Sequence, residues 1–422
     1  MSVDQLTPER AAALPGPDWL CAQRAEAAER FSTAALPDTS LEEWRYSRVE
    51  QLDLAAYTVE GADHVAVPAP ATALGESLGR SAGTIVLHNG RVASVTLEGH
   101  LSEKGVRFGL LADSAVAVGG LSGGTDPFGD LTLAQGPDPL LLAVPRGVAV
   151  EVPFHLIHVI DGEGSLVLPR LVIDAAENSE LSLVEWATSG NVEALVVPRT
   201  EISVGNAARV RMVSVNAWGS ATNQLAAVSA TVGQEATLRM SHVALGGDYA
   251  RSRFDCRLVG RGATGQLSAL YLGDGDQMHD LRTFQTHEAR DTTSELLFKG
   301  ALDDRARAVY TGMIRVDHEG RGSNADQTNR VIKLSDEAWA ESVPNLEINH
   351  NDVKCSHATA VGPIDEDQRF YLESRGVPPE TAERLVVNGF FEEVLDTIAV
   401  PEVVAVVRPL IAAKLGAVGG GS

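Results

Sequence analysis

The chain has 422 residues, with 57 acidic against 34 basic side chains and a formal net charge of −23. That balance argues against a nucleic-acid partner, because phosphate binding needs clustered Lys and Arg. The length is large for one compact domain unless the core is elongated, and an aromatic content of only 5% leaves Val, Leu, Ile and Ala to build that core.

Residues 1–55 read as helical. Pro8-Glu9 can start one helix, Asp18 can cap a second, and Ser40 with Glu43 forms a capping box for a third. Trp19, Leu20, Phe31, Leu41 and Trp44 suit packing better than a ligand site. Residues 56–105 mix short alternating runs with turn formers, completing an N-terminal helical and small mixed region, 1–105.

From Val106 the texture changes. Short alternating strands are separated by Gly, Asn and Asp, with hardly any helical periodicity. The apolar anchors Leu183, Met212, Met240, Leu267 and Leu296 recur about every 28 residues, the first four behind similar turns. A solenoid gives this pattern, because one coil cannot bury its apolar face alone. The expected fold is therefore mainly β, a parallel β-helix core over 106–361 flanked by helical regions.

Helices return in a C-terminal subdomain, 362–422. Asp365 with Gln368 caps the first and Gly376 stops it; Pro378-Pro379 opens the second, which Asn388-Gly389 ends or kinks. Leu385, Phe390, Phe391 and Val394 belong to an apolar set that either packs on the chain itself or presents a docking face. The tail from Ile398 to Val418 is broken by Pro401, Glu402, Arg408, Pro409 and Lys414, so no membrane span is expected. Gly419-Gly420-Gly421-Ser422 stays out of the fold argument. No signal-peptide pattern opens the chain.

Cys21, Cys256 and Cys355 cannot make a disulfide framework, which points to a reducing, cytoplasmic setting, nor can they alone form a four-cysteine cluster site. Cys355 and His357 lie two apart on an expected strand, so they face the same way, and thiolate and imidazole are both soft enough for iron. His279, His287, His318 and His350 fit no metal motif and read as structural. No Gly-Lys pair exists, so no phosphate-binding loop is present and ATP hydrolysis by this chain is not expected. A rival reading casts Asp274, Asp276, Asp303 and Asp304 as carbohydrate-acting carboxylates along the solenoid, although turn positions suit them better.

The run DVKCSHATAVGPIDEDQRFYLESRG, from Asp352 to Gly376, resembles the C-terminal signature of the SufD branch of the SufB/SufD family, part of the Suf iron–sulfur cluster assembly machinery. MHDLRTFQTHEARDTTSELLFKGALDDRARAVYTGMIRV, from Met278 to Val316, is similar to that family's core, and Glu42-Glu43-Trp44-Arg45-Tyr46-Ser47 is similar to SufD rather than SufB. The resemblance implies a right-handed parallel β-helix and a non-catalytic scaffold subunit. It implies pairing with a SufB-like subunit through the core and with a SufC-like ATPase through the C-terminal helices, where Leu385, Phe390, Phe391 and Val394 lie. It further implies a transient iron–sulfur cluster at the SufB interface, to which His357 of the Lys354-Cys355-Ser356-His357 motif contributes a ligand, with Cys355 beside it. Gln327-Thr328-Asn329-Arg330 carries no thiol where SufB has its cysteine-containing stretch, so the chain is not expected to assemble a cluster alone. A homodimer through the same solenoid surface is the expectation when the SufB-like partner is absent.

Overall fold

The computed structural model describes residues 6–59, 65–113 and 126–418; the Gly-Gly-Gly-Ser tail lies outside them. Two long sheets face each other, and each coil of the chain adds one strand to each. Among the described residues the first sheet has ten strands. A hairpin of Gly83–His88 and Arg91–Leu97 leads into Phe154–Ile160, Glu180–Ser189, Arg209–Ala217, Thr237–Ala244, Thr264–Gly273, Thr293–Leu302, Asn324–Lys333 and Lys354–Pro363. The second sheet has eleven among the described residues, from Arg107–Leu110 to Trp339–Ile348. Apart from the antiparallel pairs at the start, successive coils pair in parallel, as a β-solenoid requires.

The expected anchors stack in one column. Phe154, Leu183, Met212, Met240, Leu267 and Leu296 are register partners from strand to strand and all are buried between the sheets. Strands sit about 4.8 Å apart, so each anchor covers the one below and the apolar area leaves water only when the coils stack. The column continues to Gln327 and then His357. There it turns polar.

Both sheets are also covered from outside. Val184, Trp186, Val213, Val215, Leu270 and Leu272 face out from the first sheet against Val387, Phe391, Val394 and Ile411 of the C-terminal helices. Burial on both faces explains the continuous apolar runs of these strands. The outer face of the second sheet carries Tyr249, Met278 and Val309, packed with Trp44, Val49, Leu54 and Tyr57 from the N-terminal region.

The N-terminal reading holds in part. Thr7 caps a helix at Pro8–Ala13, and a second runs Asp18–Thr33 with Asp18 as its first residue rather than its cap. The third expected helix is absent: Ser40 hydrogen-bonds Asp38, and only a single 3₁₀ turn forms at Glu42–Trp44. Its carbonyls have other partners. Arg251 donates to the Glu43 carbonyl and Arg282 to that of Arg45, each at 2.7 Å, while the Arg251 guanidinium lies 3.9 Å over the Trp44 ring. Tyr46 takes a left-handed φ of 66°, which a bulky residue holds only when its surroundings impose it. The segment is a strap across the second sheet.

At the other end, Asp365 accepts from the amides of Asp367 and Gln368 and opens the helix Glu366–Ser374, and Gly376 follows at φ 84°. The next helix runs from Pro379 to Leu395, so Asn388-Gly389 does not end it. Val387, Phe391 and Val394 are buried on one face against the sheet, and this packing outweighs the roughly 1 kcal/mol cost of a helical Gly. The last helix, Val404–Val418, contains Pro409. No helix among the described residues is long and apolar enough to cross a membrane.

Candidate functional site

The final coil is built differently from those before it. Among the described residues Lys354–Pro363 pairs only with Asn324–Lys333, and Trp339–Ile348 only with Arg307–Val316. Each therefore presents one unpaired row of backbone donors and acceptors, an edge that proteins normally cover. Pro344, which cannot donate to a ladder, sits on the second of these edges, where sheets tolerate proline. Interior strands are largely buried, whereas most of Lys354–Pro363 is exposed.

Register fixes which way the last strand's side chains point. Ala325, Gln327, Asn329 and Val331 are buried between the sheets, and their partners are Cys355, His357, Thr359 and Val361. Alternation then sends Ser356 outward, where it bonds the Asp326 carboxylate. Cys355 and His357 thus share the inner face at the open end, about 7 Å apart along the strand. Cys355 is half-buried beside Ile314, Val316 and Ala325, and burial pushes its thiol above the usual range. His357 is exposed. Among the described residues no set of three or more His, Cys, Asp or Glu side chains is gathered as a metal site would need, so these two groups form at most part of one.

The other four candidate histidines behave as hydrogen bonders. His279 and His287 are fully buried, and desolvation holds both down to about 4, so they are neutral. The first contacts the Leu272 carbonyl; the second bonds Thr292 and Ser294. His350 accepts from the Asp352 amide in the turn before the last strand, and His318 meets the Asn349 carbonyl. The four aspartates of the carbohydrate reading lie at turns. Asp276 pairs with Arg305, Asp274 with Lys414, and Asp304 accepts from the Gly275 amide.

The apolar helical set divides in two. Phe391 and Val394 are buried against the first sheet and face no solvent. Leu385 is 49% exposed. Phe390 is half-buried, with Lys299 4.4 Å over its ring and donating to its carbonyl. A groove of about 930 Å³ between the Glu366–Ser374 and Pro379–Leu395 helices is floored by Tyr371, Leu372, Leu385 and Phe390 and edged by Asp365 and Asp367. Phe370 (71% exposed) and Tyr371 (58%) were not singled out from the sequence. Their signal is adjacency: two neighbouring aromatics on a nine-residue helix cannot share one buried stripe.

The thiols provide a direct check of this geometry. Cys256 is buried in the core, and its pKa is pushed up to about 12 by desolvation. Iodoacetamide is expected to label Cys21 and Cys355 in the native protein and Cys256 only after denaturation, with Cys355 reacting faster as pH rises above the ordinary thiol range. Peptide mass mapping reads this, and native labelling of Cys256 would contradict the core packing.

Residues 158–390 match the model of the SUF system FeS cluster assembly SufBD core domain. An iron–sulfur cluster assembly SufBD family protein of Mycobacterium tuberculosis (strain H37Rv) is 36% identical over 271 residues, covering 62% of this chain and 68% of that protein. Iron–sulfur cluster assembly protein SufD of Bacillus subtilis is 28% identical over 262 residues, covering 61% of this chain and 60% of its own. The SufD of Escherichia coli gives the same identity over 262 residues, covering 61% of this chain and 62% of its own.

Proposed function

The chain belongs to the SufBD family of iron–sulfur cluster assembly proteins, and on that premise we propose that it is a non-catalytic scaffold subunit that completes a cluster-assembly site with a second, SufB-like solenoid. The observation that carries this reading is the placement of Cys355 and His357 on the inner face of an unpaired terminal coil. A cluster takes about four protein ligands, mostly cysteines. Two groups on one chain leave the rest to a partner, and a partner's strand laid on the open edge would bring its ligands over them. The nascent cluster is cargo of this interface. In the absence of the SufB-like chain, a second copy of this chain would cover the same edge.

The groove beside Leu385 and Phe390 is the proposed seat of a SufC-like ATPase in the cytoplasm. ATP-driven closure of two such subunits would pull on the C-terminal helices of both scaffolds and shift the solenoid interface between discrete states, opening Cys355 and His357 to incoming iron.

Co-expression with SufB-like and SufC-like partners, wild type against His357→Ala, tests the reading after anaerobic purification. Both complexes are expected to form, with iron and sulfide at least roughly tenfold lower in the variant. A variant complex carrying a normal cluster would remove His357 from the site.

A further inference from the structure

We propose that Gln327 is a positioning residue for His357: once a partner covers the open end, its amide oxygen accepts a ring N–H of His357 and leaves the other ring nitrogen free for iron. This rests on the reading of His357 as a ligand.

Three observations converge on Gln327. It occupies the column that Phe154, Leu183, Met212, Met240, Leu267 and Leu296 fill with apolar side chains, and only at Gln327 and His357 does that column turn polar. The side chain is fully buried, yet neither its Nε2 nor its Oε1 has a hydrogen-bond partner. Space is kept for it: a Cβ on Gly312 of the facing sheet would lie 2.4 Å from the Gln327 Nε2. A buried amide with both ends unpaired is costly and rare.

The next inward residue shows what satisfaction looks like there. Asn329 accepts from the Tyr271 hydroxyl at 2.9 Å and donates to Ser342 on the facing sheet at 3.0 Å. Gln327 has no such pair, and its register neighbour on the open side is His357, which is exposed and makes no hydrogen bond among the described residues. Side chains in register on adjacent parallel strands lie about 4.8 Å apart, within reach of an imidazole rotated inward. A histidine that binds metal almost always donates its second N–H to a carbonyl or carboxylate, which fixes tautomer and ring orientation. Gln327 supplies the carbonyl.

The test uses Gln327→Met, similar in length but unable to hydrogen-bond, in the co-expressed complex beside His357→Ala. The variant is expected to assemble with both partners and melt no lower than wild type, while its iron and sulfide fall several-fold. Pulsed electron paramagnetic resonance of the remaining reduced cluster is expected to show a shifted imidazole ¹⁴N coupling, which a merely structural role would leave unmoved. Normal cluster content with an unchanged coupling in Gln327→Met overturns the inference, and so does a chain that fails to fold. If His357→Ala keeps a normal cluster, the ligand reading itself fails. If His357→Ala loses cluster while Gln327→Met does not, only the role of Gln327 falls.

Discussion

Replacing Asp280 with Asn is expected to destabilise the fold by about 3–5 kcal/mol, because it leaves two buried guanidinium groups without their counter-charge. Asp280 is completely buried; Arg251 approaches one carboxylate oxygen at 2.7 Å and Arg282 the other at 2.5 Å, both nearly solvent-free. Tyr249 adds a hydroxyl donor at 3.0 Å. Burial by itself would raise the carboxyl's pKa, but Arg251 and Arg282 outweigh it and hold the group below the ordinary aspartate value. A depressed folded-state pKa contributes stability that is present above the unfolded value near 4 and is lost as pH falls through the folded value. The stability gap between wild type and Asp280→Asn, read from urea midpoints, should therefore be full at pH 7 and shrink in strong acid. The same arginines hold the carbonyls of Glu43 and Arg45, so limited proteolysis should open the 42–48 strap sooner in the variant. A midpoint unchanged at pH 7 would refute this account of the network.

Phe391→Ala and Leu385→Ala are expected to have opposite consequences although they lie on one helix. Phe391 is fully buried, packed with Val387, Val394 and the outer face of the first sheet. Its truncation should cost about 3–5 kcal/mol, with the helical subdomain loosening first. Leu385 is half out in solvent at the groove, and its truncation should stay within about 0.5 kcal/mol. In pull-down with a SufC-like ATPase, Leu385→Ala is expected to lose partner while remaining folded. Hydrogen exchange of the Pro379–Leu395 helix separates the two effects. Retention of partner by a folded Leu385→Ala would move the docking surface off this groove.

Much was legible in the residues because the physics there is local or strictly periodic. The recurrence of Leu183, Met212, Met240, Leu267 and Leu296 announced a stack of coils, since only stacking buries residues at that spacing. Asp365 declared a helix start and Gly376 its stop through cap chemistry confined to a few residues. Cys355 and His357 could be placed on one face of one strand from alternation alone.

What stayed hidden depends on residues far apart in the chain. The box Ser40–Glu43 looks helical until Arg251 and Arg282, more than 200 residues away, claim the carbonyls that a helix would have used. Asn388-Gly389 reads as a stop until burial against the sheet carries the helix past it, and the same burial withdraws Phe391 and Val394 from solvent. Gln327 looks like one polar residue on a strand; only the stacking of coils sets it beneath His357 and opposite Gly312. By itself the sequence determined the repeat, the caps and the shared face of Cys355 and His357, because each follows from contacts within one coil or one turn. The tertiary structure decided which strand edge stays open and what lies under the site, because register between coils and competition for backbone groups exist only once the chain has closed on itself.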